Sequence, residues 1–300
     1  MALAALGADL IASDLPLAVR VDGRTFLLPC LVHPAALLDD DQQTLAVRAT
    51  WQIQTPIPFG PLASRPGGTQ SPLEPPSLRH LLGTDDRGRD VAARLLHGTR
   101  TALLIGPLAV AFYLLVGIAV GVAAATTPVI DRVLGRVIEV ALTFPTFFLL
   151  LAIEGTFGAP SLWQVALVIA ATRWPQVARL VRSGALSAAA RPHVEAARAL
   201  GVGPLGIAWR HVLPIALAPA LTAAAFGVGQ AVLIEAALGF LGFGVPPPTP
   251  SWGELFAEAR GAGLPWWLVA PPTVAIALTV FLCNRVADGI RAALDPTESL

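Results

Sequence analysis

From residue 101 onward the chain alternates long uncharged apolar runs with short clusters of charge, glycine and proline. No charged residue falls between Arg100 and Asp131. Because roughly 20 apolar residues cross a bilayer, this predicts a first span centred on Leu103 to Ala124. Asp131, Arg132 and Arg136 then mark a short turn. Val137 to Ile153 forms a second span with a kink at Pro145, Gly155, Gly158 and Pro160 make a tight turn, and Leu162 to about Leu180 returns. Pro214 to Leu241 and Trp266 to about Arg285 complete five spans. Trp163 and Trp174, and later Trp266 and Trp267, sit near span ends as interfacial anchors do. The stretch Gly242 to Gly253 is too rich in proline and glycine to be helical throughout and reads as a loop.

Upstream the pattern changes. Met1 to about Ala12 is apolar but interrupted by Asp9, short of a full span, and Ser13 to about Arg79 reads as a polar, irregular segment with an acidic run at Asp39, Asp40 and Asp41 and a proline-rich run from Pro56 to Pro76. The alternation around Asp22-Gly23 suits a small hairpin. His80 to Thr101 reads as a turn followed by an amphipathic helix presenting Val91, Leu95 and Leu96 on one face. Thr84, Asp85 and Asp86 suit its N-cap, with Arg87 and Arg89 as ion-pair partners. Clustered aspartates also admit a metal or acid/base reading, which is the less economical one.

Composition sharpens this. The 300 residues are 55% hydrophobic and 13% charged, with mean hydropathy +0.67, against roughly 25% charged residues in a soluble domain. The net charge is zero and the charges are segregated by loop, so nothing points to nucleic acid. Cys30 and Cys283 offer no disulfide framework or zinc spacing. All 20 basic residues are Arg, which removes any Walker lysine, Schiff base or Ser-Lys pair. Five scattered His give no metal spacing. Neither a catalytic site, a metal site nor a cofactor site is visible.

The most basic stretch carries the sharpest pattern. Arg173 to Arg210 holds six Arg and one acid, Glu195, which by the positive-inside rule is cytoplasmic. Glu195-Ala196-Ala197-Arg198-Ala199-Leu200 is a run of helix formers, Gly201 ends it, Pro204 restarts a short second helix, and Pro214 opens the next span. Two short helices at an angle, projecting from the membrane, would form a docking surface for a soluble partner. Gly201 to Gly206 also satisfies G-x-G-x-x-G, but no strand precedes it, so it is not a dinucleotide fingerprint.

Glu195-Ala196-Ala197, Gly201 and Val212-Leu213-Pro214 resemble the EAA loop of the permease subunits of ABC importers. The GTDDRGRD segment at residues 83–90 and the block FLGFGVPPPTPSWGELFAEAR at 240–260 resemble the C-type subunit of the oligopeptide and dipeptide permeases. The likeness covers nearly everything from His80 to Pro296, and the N-terminal SDLPLAVRVDG and PIPFGP segments resemble the Yej-type, microcin C-like peptide permeases.

The resemblance implies an all-α, polytopic transmembrane helical bundle, with five spans visible and six expected in the family. It implies an outer-face segment over 1–79, an interfacial helix over 80–100, the transmembrane domain over 101–290 with a cytoplasmic coupling loop at 187–214, and a cytoplasmic tail over 291–300. The expected function is non-catalytic: a multi-pass subunit of the bacterial inner membrane that moves peptides or peptide-like solutes, with nickel or another small solute as the alternative. Expected partners are a second homologous permease, two ATP-binding-cassette ATPases that hold the ATP and magnesium, an extracytoplasmic solute-binding protein, and membrane lipid. Glu195, Ala196, Ala197, Arg198, Gly201, Arg210 and Pro214 would form the ATPase-docking surface.

Membrane carboxylates invite a functional reading. Glu235 lies inside the span after the docking loop, toward its outer end, and would line the translocation path, pair with Arg173 or a partner, or simply reach headgroup water at the interface. Glu139 and Glu154 suit interfacial positions, and Arg173 would reach the cytoplasmic face by snorkelling. Gly117 and Gly121 form a G-x-x-x-G pair that admits a close helix neighbour, although chance gives such a pair in a glycine-rich chain. A secondary transporter would show paired repeats with broken helices, and a second copy of the 191–214 pattern is absent; a membrane-embedded enzyme would need a catalytic dyad. Five spans with a cytoplasmic loop also place about 100 residues outside without a preceding helix, so a first helix is expected upstream of Met1.

Overall fold

A computed structural model describes residues 1–37, 42–62, 72–125, 127–143, 148, 152 and 161–294. The acidic run at 39–41, the kink at Pro145 and the turn with Glu154, Gly155, Gly158 and Pro160 lie outside them, as does much of the second span after Thr143. The chain divides into two compact units: residues 1–104 with 235–277, and residues 105–234 with 278–300.

In the first unit the chain begins with α1 (Ala2–Leu6) and α2 (Ala8–Ile11). The hairpin about Asp22-Gly23 forms from β1 (Ala18–Val21) and β2 (Arg24–Leu27), with φ of +51° and +80° at the turn. This region is more ordered than an irregular segment. Gly23 permits the left-handed turn, and β3 (Ala49–Ile53) pairs antiparallel on the other edge of β1, giving the order β2-β1-β3. Two short helices, α3 (Pro29–Val32) and α4 (Gln42–Arg48), accompany the sheet. Val19, Val21, Cys30, Leu37 and Leu45 are buried together beneath it. A purely helical class therefore describes the membrane part and not this sheet.

The long helix α5 (Val91–Ala124) replaces the separate interfacial helix and first span with one continuous element. Its N-cap is Asp90, whose Oδ1 accepts the Ala93 N–H at 2.8 Å, rather than Thr84, Asp85 or Asp86. No break occurs at the polar positions because each finds a partner: Arg100 Nε donates to Ala5 O, Thr101 Oγ1 to Pro250 O, and Gly98 lets Trp252 approach. At about 1.5 Å per residue the helix is about 51 Å long, against a hydrocarbon core of about 30 Å.

The second unit contains the rest of α5, α6 (Pro128–Thr143), α7 (Leu162–Ala189), α8 (Pro192–Ala199), α9 (Pro204–Ile207) and most of α10 (Leu213–Leu241). A capping box at Ser161 and Gln164 starts α7. The expected loop after α10 is non-helical from Gly242 to Ser251, and a further helix, α11 (Trp252–Gly261), N-capped by Ser251, follows it before the last span. The last helix, α12 (Trp266–Leu294), outlasts its expected end at Arg285. Among the described residues, three helical stretches are long and apolar enough to cross a membrane: Val91–Ala124, Pro204–Leu241 and Trp266–Ala293.

Gly117 and Gly121 do mark a close helix neighbour. A Cβ on Gly117 would lie 2.6 Å from Val177 Cβ, and one on Gly121 would lie 2.7 Å from Val181 Cβ. The small pair on α5 therefore receives the Val177 and Val181 ridge of α7.

Candidate functional site

The basic loop is built on two anchors. Val194 on α8 and Ile207 on α9 are buried in one cluster with Val181, Ala185 and Ala188 of α7 and Ala216 of α10. Gly184 brings the two long helices together there, since a Cβ on it would lie 3.1 Å from Ala216 Cα. Buried apolar anchors of this kind fix the loop to the ends of both long helices.

Between the anchors the chain turns sharply. Arg191 precedes Pro192 at the first turn of α8, and Gly201 closes the helix at φ +83°, where only glycine is unstrained. The Val202 N–H reaches back to Ala197 O at 3.1 Å. Pro204 then starts α9. Contrary to two separate short helices, this second one runs on without interruption: a π-helical turn over Ala208–Val212 joins α9 to α10, with the Leu213 N–H bonded to Ala208 O. The wide turn directly precedes Pro214, whose missing N–H and ring disfavour a regular ladder.

Glu195, Ala196, Arg198, Gly201, Arg210 and Pro214 are exposed, and Ala197 is buried beneath the loop. The arrangement also presents side chains that charge and propensity did not single out. Leu200, Leu205 and Trp209 are 85%, 76% and 67% exposed among these polar residues. Their signal was present in the sequence as large apolar residues interrupting an Arg-rich loop. The His193 and His211 rings lie 6.2 Å apart across the bend.

Below the loop, Arg182 grips Asp131 at two points, Nε to Oδ1 at 2.6 Å and Nη2 to Oδ2 at 3.1 Å, tying α6 to α7. The bond from Arg182 holds the Asp131 carboxyl below the usual carboxylate range. Glu139 is exposed and pairs with Arg136.

Two further charged sites lie in the first unit. Glu235 is 1% exposed, with Ser251 beside it and Oε1 without a hydrogen-bond partner. The other is a buried cluster that sequence spacing hid. Asp85 accepts from Arg89 Nε at 2.7 Å and from Arg94 Nη1, and the same two guanidiniums reach Glu258 at 2.6 and 2.5 Å. Glu254 stands 2.6 Å from Arg94 Nη2. Burial pushes the Glu258 carboxyl up to about 7, with Arg94 pulling the other way. Carboxylate oxygens of Asp85, Asp86 and Glu258 approach one another closely enough to suit a cation. The two arginines already supply that countercharge.

Comparison with known proteins bears on the same stretches. Residues 115–299 match the family described as binding-protein-dependent transport system inner membrane component. The di/tripeptide transport system permease protein DppC of Pseudomonas aeruginosa is 40% identical over 228 residues, covering 75% of this chain and 74% of that protein. The dipeptide transport system permease protein DppC of Escherichia coli K12 is 40% identical over 222 residues, covering 73% and 74%. Among solved structures, the MetNI methionine ABC transporter in inward-facing conformations is similar with a TM-score of 0.58 at 21% identity, covering 67% of this chain and 96% of that one. An amino acid ABC transporter solved with histidines gives 0.52 at 20% identity, covering 69% and 94%. Both solved structures share the fold of about two thirds of this chain.

Proposed function

This chain belongs to the binding-protein-dependent transport system inner membrane components, as the permease subunit of an ABC importer, and from that premise we propose that it carries peptides across the inner membrane and takes its drive through the loop at 187–214. The peptide assignment rests on the 40% identity to two peptide permeases. The chain works with an ATPase and a binding protein, as its family does. We take the assembly to be this chain, a second permease, two ATPases and one extracytoplasmic binding protein. In this reading the membrane domain has five spans in the chain given, with the loop and the end of α12 cytoplasmic and residues 1–100 outside.

The observation that carries the coupling role is the pairing of exposed Leu200, Leu205 and Trp209 with Glu195, Arg198 and Arg210 on a loop anchored by Val194 and Ile207. An apolar patch rimmed by charge suits a protein partner, and the anchors make its displacement a displacement of α7 and α10. Closing of the ATPases around ATP would move the loop, and the helices would rock between inward-open and outward-open states. The chemistry of ATP stays with the partner; this chain contributes mechanical coupling.

Co-expression with an ATPase carrying G-x-x-x-x-G-K-[ST] tests the reading. The expected result is co-purification with the ATPase and ATP-dependent uptake of a labelled dipeptide into proteoliposomes. Insertion in the membrane with no ATPase association under any condition would refute the coupling role. Glu235 we place at the solute path, because a buried carboxyl oxygen without a partner is costly unless a polar route serves it. Unaltered uptake by the Glu235→Gln variant would remove it from the path.

A further inference from the structure

The second unit holds a cavity of about 290 Å³ between α5, α7 and α10, with Tyr113, Arg173, Gln176 and Gln230 on its wall among apolar side chains. Among the described residues, no carboxylate lines it. Arg173 lines this space: its Nη1 donates to Gln176 Oε1 at 3.2 Å, and its Nε is buried without a hydrogen-bond partner. Room for Tyr113 is made by Gly227, against whose Cα the phenol oxygen packs so closely that any Cβ would collide with it.

A guanidinium within an apolar helix is expensive, and intramembrane cations ordinarily lie against a counter-ion. Here the guanidinium keeps an open donor, and its neighbours are two amides and a phenol. With its carbonyl taken up by Arg173, the Gln176 amide keeps its N–H groups for donation, and Tyr113 and Gln230 add further donors. A planar guanidinium with flanking N–H and O–H donors is the chemistry that grips a carboxylate at two points.

We propose that Arg173, Gln176, Gln230 and Tyr113 form a carboxylate-binding site in the translocation path, which receives the C-terminal carboxylate of the transported peptide. The inference rests on the peptide-permease reading and adds to it the part of the solute that is recognised. Arg173 is the anchor, paired with the incoming anion. The amides and the phenol orient that anion, and the apolar remainder of the wall leaves the peptide side chains unspecified, as a carrier of varied peptides needs. Binding is reversible and non-covalent, and release follows when the helices around the cavity change their spacing.

The test uses the assembled transporter in nanodiscs without the binding protein, so that selection by the binding protein does not contribute. Saturation-transfer NMR would compare alanyl-alanine with alanyl-alanine amide. The expected result is at least tenfold tighter binding of the free carboxylate by the wild-type complex. Arg173→Gln should abolish that preference, and Arg173→Lys should keep part of it. Gln230→Leu, which leaves the charge in place, should weaken both peptides less than Arg173→Gln weakens the free acid. An Arg173→Gln complex that assembles with its ATPase and still prefers the free acid tenfold would overturn the site, as would equal binding of acid and amide by the wild type. Uptake of alanyl-alanine by wild-type proteoliposomes reports separately on the peptide-permease reading: uptake without carboxylate preference sinks only this site, and its absence sinks the reading beneath it.

Discussion

Gly117 lies so close to Val177 that a single added carbon on the glycine would stand 2.6 Å from the valine Cβ. Nothing at that point separates α5 from α7 except backbone and one β-branched side chain. Gly117→Ala is therefore expected to push the helices apart and to cost about 1–3 kcal/mol, the range for overpacking. Combining it with Val177→Ala should recover part of that loss, since the second change removes the opposing methyl groups. Thermal unfolding of the purified variants in detergent, read as a double-mutant cycle, measures the coupling.

The Asp131–Arg182 pair makes a pH prediction with a definite sign. The folded Asp131 carboxyl sits below its unfolded value because Arg182 bonds the charged form. Its contribution is thus fully present above the unfolded pKa, and it is lost as pH falls through the folded one, below about pH 4. Both side chains are about a quarter exposed, so solvent screening holds the contribution to about 1 kcal/mol. Asp131→Asn should flatten this part of the stability profile and leave the profile from pH 6 to 8 unchanged.

At the loop, Gly201→Glu is expected to abolish uptake without preventing membrane insertion. The left-handed backbone at φ +83° strains any residue with a Cβ, and no neighbour lies within 4 Å of the added carbon, so the damage falls on the bend and its partner rather than on packing. Leu205→Asp should weaken ATPase association at least tenfold, measured by pull-down from membranes. Normal uptake by correctly inserted Gly201→Glu would contradict the coupling role.

Removing Arg94 exposes the other extreme. Asp85, Glu254 and Glu258 would share one remaining guanidinium in a buried setting, and breaking such a network costs about 3–5 kcal/mol. Arg94→Met should destabilise the protein by that order, and Arg94→Met with Glu258→Leu by much less, because Asp85 and Glu254 against Arg89 restore the wild-type excess of one carboxylate over the guanidiniums. Unfolding midpoints of the single and double variants decide it.

The legible and illegible parts of the chain divide by distance along the sequence. Gly201 and Pro204 announce a bend within four residues of each other, and Asp22-Gly23 announces its hairpin, because glycine and proline act on their own backbone. Arg94 and Glu258 are 164 positions apart, and no local spacing brings them together. Polar residues from Arg94 to Thr101 looked like the edge of a separate interfacial helix, yet α5 continues through them because remote groups such as Pro250 O and Trp252 meet them. The third strand, Ala49–Ile53, was hidden likewise: it pairs with Ala18–Val21 across an intervening hairpin and helices. Arg173 could be seen as a charge near a span, but the cavity it lines also takes Tyr113 and Gln230 from two other helices, which no local spacing brings together.

The π-helical turn at Ala208–Val212 also sets an azimuth. An α-helix advances about 100° per residue, so one residue more or fewer in that turn would swing everything before it by about that angle relative to α10. Leu205 thus owes its compass bearing to a backbone count as much as to its own identity, and a register slip of one residue would point the same chemistry at lipid or at a neighbouring helix.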